Sequence, residues 1–122
     1  MSTPVGPYSP IVRAGSWLIC SGQLGLAPGV DGTPALVDGG PGPQLARAVA
    51  NAAVLLESDG ASLADVVKTT VFAIDPADFP VINEAYVTAF GGHRPARSMV
   101  AVSALPMGAA VEIEVWVHRD PS

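Results

Sequence analysis

The clearest pattern in the chain is the two-residue alternation of its last strand-like run, VEIEVWVH at 111–118. Side chains alternate across a strand, so Val111, Ile113, Val115 and Val117 share one face and Glu112, Glu114, Trp116 and His118 the other. The first face suits a helix-covered core. The second cannot be a dry core unless its charges are paired; it is either solvated or covered by another subunit. Residues 11–14 and 17–21 read as a first strand pair, with Gly15-Ser16 as the turn. The β-branched run DVVKTTVFAI at 65–74 reads as a central strand. Residues 97–104 and 110–118 read as two final strands joined by the turn ALPMG. Helical spacing appears twice. Leu45, Val49, Ala52, Ala53 and Leu56 form one face of a helix that begins near Pro43, with Gly60 as a left-handed residue past its end. Phe79, Ile82, Tyr86 and Phe90 form the stripe of a second helix, N-capped by Asp75 or Asp78 and ended by Gly91-Gly92. Residues 25–43, rich in Gly and Pro, read as loop. The order ββαβαββ predicts one α+β domain spanning residues 1–122, a mixed β-sheet with two helices packed on one face.

Charged residues make up 14% of the 122-residue chain and hydrophobic ones 49%. Soluble domains usually carry about 25% charge, so an oligomer that buries part of the surface is expected. No apolar run approaches the ~18 residues of a membrane span. The N-terminus MSTPVGPYSP lacks the pattern of a signal peptide. The expectation is therefore a cytoplasmic protein with no membrane partner. Net charge is −5, with six Lys plus Arg, which speaks against nucleic acid as a ligand. Cys20, in the apolar run WLICSG, reads as a buried, unreactive thiol.

With basic residues scarce, Arg97 at the head of an apolar strand needs an explanation. It is either a structural salt bridge, for instance to Glu112 or Glu114, or a guanidinium fork for a carboxylate ligand. Tyr8 in GPYS is an exposed turn residue or an aromatic wall with a phenol donor. Ser21 ends a strand. Asn83 lies on the apolar stripe of the second helix and needs hydrogen-bond partners, for which nearby backbone is the simplest source. His93 and His118 form no metal-type cluster with Cys20. No nucleophile elbow, P-loop or dinucleotide fingerprint is present.

GPYSP, LICSGQLGL, VVKTTVFAIDPADFPVINEAY, RPARSMVAV, LP and VEIEVWV occur in this order. Together, from about Gly6 to Val117, they resemble the Rid family, the reactive enamine/imine intermediate deaminases also called YjgF-like proteins. The resemblance implies a chorismate-mutase-like fold, a homotrimer with clefts between subunits, no metal and no cofactor. It implies hydrolysis of small 2-imino carboxylates of the 2-aminoacrylate or 2-iminobutanoate type to 2-keto acids and ammonia. By the same resemblance Arg97 of PARS would bind the carboxylate, and Glu112, the first Glu of EIE, would serve the catalytic water. Tyr8, Ser21, Gly22, Asn83 and Met99 would line the cleft. Met99 stands where many prototypes have cysteine, and Pro10 where glutamine is common. A non-catalytic carboxylate-binding or sensor trimer of the same fold is the alternative.

Spacing adds one expectation. If ALPMG closes a hairpin that pairs Ala104 with about Ala110, Arg97 lies opposite about Val117 and Glu112 opposite about Val102. Five residues at ~3.3 Å each separate Arg97 from Val102, roughly 16 Å. One small ligand would then touch both residues only if they came from different subunits.

Overall fold

The computed structural model describes residues 6–120; residues 1–5, the first half of the segment read as lacking a signal peptide, lie outside the described residues, as do 121–122. The chain begins with strand β1 (Ile11–Ala14), turns at Gly15-Ser16 into β2 (Trp17–Cys20), and continues into the short β3 (Gln23–Leu24). Helix α1 (Pro41–Ser58) leads to β6 (Val66–Ala73), α2 (Phe79–Phe90), β7 (Ala96–Ala101) and β8 (Val111–His118). Between β3 and α1, strands β4 (Leu26–Pro28) and β5 (Pro34–Leu36) form a separate two-stranded ribbon. The segment 25–43 is therefore not all loop. Pro28 and Pro34 stand at the ends of the ribbon, where a missing N–H costs no ladder bond.

Both helices cover one sheet face, as expected. Leu45, Ala48, Val49, Ala52, Leu55 and Leu56 of α1 are buried, and so are Ile82, Tyr86 and Phe90 of α2. Helix α1 starts at Pro41, two residues before Pro43, and Gly60 beyond its end takes the left-handed φ of 79°. Of the two N-cap candidates, Asp75 acts: its side chain accepts from the Ala77 N–H at 2.9 Å, opening a 3₁₀ turn (Pro76–Asp78) that runs into α2. Two polar bonds fasten the layers. Gln44 Oε1 accepts from the Ala110 N–H at 2.9 Å, and the Thr69 and Tyr86 hydroxyls meet at 2.8 Å inside the core.

The main sheet has the order β1-β2-β8-β6-β7, with β3 pairing with β8 beyond the end of β2. This overturns one expectation: β7 and β8 do not form a hairpin. Strand β6 lies between them, parallel to β7 and antiparallel to β8. A helix-linked β6-α2-β7 crossover places two strands parallel and side by side, and that unit displaces the pairing through ALPMG. The register built on the hairpin falls with it. Arg97 pairs with Thr69, which pairs with Val115; Glu112 pairs with Phe72, which pairs with Val100.

The alternation of β8 holds. Val111, Ile113, Val115 and Val117 are fully buried, Glu112 and Glu114 are half-buried, and Trp116 and His118 are exposed on the opposite face. There Trp17 packs edge-on against Trp116 at 5.9 Å and against His118 at 5.0 Å between ring centroids. Strand β7 is exposed along its length except at Met99. No described helix is long and apolar enough to cross a membrane.

Candidate active site

The residues singled out in the sequence fall into two groups, on opposite faces of the sheet. Residues paired across strands share a face. Arg97 therefore lies with Thr69 and Val115 on the helix side, and Glu112 lies with Phe72 and Val100 on the outer side.

The first group is built by β7 and α2. Arg97 Nη1 donates to Asn83 Oδ1 at 2.8 Å, and the guanidinium carbon sits 4.8 Å from the centre of the Tyr86 ring. A hydrogen bond and a cation–π contact thus orient the fork, while the residue stays exposed and no described carboxylate is within ion-pair distance. The salt-bridge reading of Arg97 toward Glu112 or Glu114 is excluded by the sheet between them. Asn83 is satisfied by Arg97 rather than by nearby backbone. Tyr86, a core-stripe residue by its spacing, does a second job as the platform under the guanidinium. The helical spacing contained that signal, since Asn83 and Tyr86 stand three apart on one face. Met99 is half-buried and packs against the hydrophobic core.

The second group is built by β8, the β2–β3 junction and the N-terminal turn. Glu112 lines a cavity of about 330 Å³ together with Tyr8, Pro10, Gly22, Leu24 and Met107. Burial, and secondarily the charge of Glu114, push the Glu112 carboxyl above its ordinary value of 4.5, so it holds a proton more readily than a surface glutamate. Gly22 lies close enough to the carboxyl that any side chain there would displace it. A Cβ at that position would stand 2.6 Å from Glu112 Oε2 and 2.8 Å from its carboxyl carbon. Ser21 donates its hydroxyl to the Ser9 carbonyl at 2.7 Å and so pins the Tyr8 turn to the sheet. Tyr8 itself is half exposed. Met107 and Asn51, which also line this cavity, were not legible as site residues: Met107 sits in a Pro–Gly turn and Asn51 on a helix face, and neither type is chemically diagnostic.

Within one chain, Arg97 and Glu112 are two strands and three residues apart, about 14 Å between backbone positions from ordinary sheet spacings, and they point to opposite faces. The hairpin argument for separation was wrong in its register, yet the separation itself is present for a different reason. A larger cavity of about 540 Å³ between α1 and α2 is lined mainly by Ala, Val and Pro and contains none of the candidate residues. No cluster of three or more His, Cys, Asp or Glu among the described residues could hold a metal ion. Cys20 is buried and its thiol is pushed up to about 12, chiefly by burial, as the apolar strand around it predicts.

The family model for endoribonuclease L-PSP matches residues 1–119. A 2-iminobutanoate/2-iminopropanoate deaminase of Mus musculus is 40% identical over 96% of this chain and 84% of its own length. A RutC family protein of Pyrococcus horikoshii is 38% identical over 96% of this chain and 90% of its own. Among solved structures, RidA from the Antarctic bacterium Psychrobacter superimposes with a TM-score of 0.86 at 39% identity, covering 95% of this chain and 91% of that one. The chain belongs to the endoribonuclease L-PSP family, which is the Rid, or YjgF-like, family of the resemblance.

Proposed function

We propose that this protein hydrolyses small 2-imino acids, and the enamines in equilibrium with them, to 2-keto acids and ammonia, without metal or cofactor. The observation that carries the reading is the half-buried Glu112 carboxyl, held above the usual carboxylate range beside a cavity of ligand size. An imine carbon is already electrophilic, so the protein has to orient the substrate, place a water and move protons. Arg97 supplies a fork for the substrate carboxylate, pre-set by Asn83 and Tyr86. The Glu112 carboxylate takes a proton from water as its oxygen adds to the carbon of the N-protonated imine, giving a neutral carbinolamine. It passes that proton to the amine nitrogen and then takes the hydroxyl proton as the C–N bond breaks, so that ammonia leaves and the 2-keto acid remains. The name of the Mus musculus relative, 2-iminobutanoate/2-iminopropanoate deaminase, supports this substrate class.

Because Arg97 and Glu112 lie on opposite faces of one sheet, the site is completed by a neighbouring protomer, whose Glu112 group meets this chain's Arg97 group in a homotrimer. The exposed Trp17, Trp116 and Val100 on the outer face, and the uncovered edge strand β7, support such packing. The six Lys plus Arg and net charge of −5 favour a small carboxylate over a nucleic acid.

Two measurements test the proposal. Imine produced by a dehydratase and followed by absorbance should decay faster with the protein and at the buffer rate with Glu112→Gln; no acceleration across several imino acids would leave only the carboxylate-binding alternative. Inactive Arg97→Ala and Glu112→Ala chains, mixed and allowed to exchange subunits, should regain activity. A mixture that stays inactive despite proven exchange would refute the shared site.

A further inference from the structure

We infer that the cavity beside Glu112 is a side-chain pocket for 2-imino acids carrying apolar side chains of leucine size or larger, with Met107 as the residue that sets its selectivity. The inference rests on the deaminase reading and narrows its substrate class. The cavity holds about 330 Å³, roughly the volume of eleven liquid waters. The methyl group of an alanine-derived imine would fill about a tenth of that. Leu24, Leu26, Pro34, Leu55, Pro106 and Met107 give much of the wall an apolar surface. Two of its amides are already committed. Gln23 Nε2 donates to the Ser21 carbonyl, and Asn51 Nδ2 donates to the carbonyls of Leu24 and Leu26. No lysine or arginine of this chain lines the cavity among the described residues; the Arg97 that a neighbouring protomer brings is taken up by the substrate's own carboxylate, so an acidic side chain in the pocket would face the Glu112 charge.

Met107 is placed here at a conformational cost. It is the one non-glycine residue with positive φ among the described residues, at φ 60° and ψ 17°. Left-handed backbone disfavours any residue with a Cβ, and the turn has two such positions in a row, Met107 and Gly108 with φ 71°, the first filled by a side chain where glycine would carry no cost. A methionine held in that conformation, 52% exposed and lining the same cavity as the Glu112 carboxyl, gives the pocket a flexible apolar wall that adapts to the bound side chain.

The test uses the whole protein and imines generated in place by an amino-acid oxidase from alanine, leucine and aspartate. kcat/KM should be about tenfold or more higher for the leucine-derived than for the alanine-derived imine, on the scale that apolar pockets discriminate, and lowest for the aspartate-derived one. Met107→Asn keeps a residue tolerant of left-handed backbone and should reduce the leucine-to-alanine ratio about tenfold. Met107→Gly, which carries no left-handed cost, should do the same. A merely structural role would move both substrates alike and leave the ratio fixed, and that result would overturn the inference, as would equal rates for the two imines in the parent protein. Calorimetry with pyruvate and 4-methyl-2-oxopentanoate reads the same preference without turnover. Tighter binding of the branched keto acid with no imine hydrolysis would refute the deaminase reading and keep the pocket; hydrolysis with no preference would do the reverse.

Discussion

The Arg97 group and the Glu112 group differ in how the fold holds them. Arg97 stands on an exposed edge strand and is oriented by only two contacts, both from α2. Glu112 stands on the long strand β8, flanked by β3 and β6, with Gly22 so close that a side chain there would displace the carboxyl. The first group is tuned by partners that can be removed singly, the second by packing. Substitutions around Arg97 should therefore change ligand affinity and leave the fold intact, while those around Glu112 should change proton chemistry and local geometry together.

The largest expected effect is that of Arg97→Ala. Losing a charge-paired fork costs about 2–5 kcal/mol of ligand binding, so carboxylate affinity and turnover should fall at least about thirtyfold. Melting should shift by the equivalent of about 1 kcal/mol or less, as for other exposed positions. A large drop in melting temperature would show that Arg97 is structural and erase the contrast with Glu112. Next comes Gly22→Ala. Its Cβ collides with the carboxyl, and a displacement of about 1 Å costs up to a hundredfold in rate; kcat should fall with carboxylate binding at Arg97 retained. Equal loss of both would mean the two groups are not independent. Asn83→Ala removes one charge-assisted bond, worth about 1.5–3 kcal/mol. It should raise KM about tenfold and leave the pH profile in place.

The smallest effect concerns stability. The folded protein binds the Glu112 proton more tightly than the unfolded chain does. Protonation therefore favours the fold below the ordinary value of 4.5, and this advantage is lost as pH rises through the raised folded value. Glu112→Gln should accordingly melt at a higher temperature relative to the parent at pH 8 than at pH 4. The opposite slope would show that the carboxylate is stabilised in its charged form. The acid limb of kcat/KM should likewise lie above 4.5 in the parent protein.

These contrasts were only partly legible in the sequence. The faces of β8 and the stripes of both helices follow from local periodicity, and the structure has them. Arg97 and Glu112 stand out because charged residues are rare in apolar strands. The position of β6 between β7 and β8 was missed because strand pairing is decided by contacts distant in sequence, and a short turn such as ALPMG invites a hairpin reading. The signal against that hairpin was present: two strands joined by one helix normally lie parallel and adjacent. The β4–β5 ribbon was missed for a compositional reason, since Gly and Pro mark turns far more strongly than three-residue strands mark themselves. The Asn83–Arg97 bond and the Gly22–Glu112 approach were out of reach without coordinates, since each joins residues from separate elements.

The buried Cys20 has a practical consequence. With its thiol pushed up to about 12 and its side chain sealed in the core, the chain's single native cysteine is silent to maleimides at neutral pH. A cysteine introduced at an exposed position such as Val100 would be the one reactive thiol per chain. A fluorophore attached there would report whether a neighbouring protomer covers this face, as proposed, against a background that contributes no label of its own.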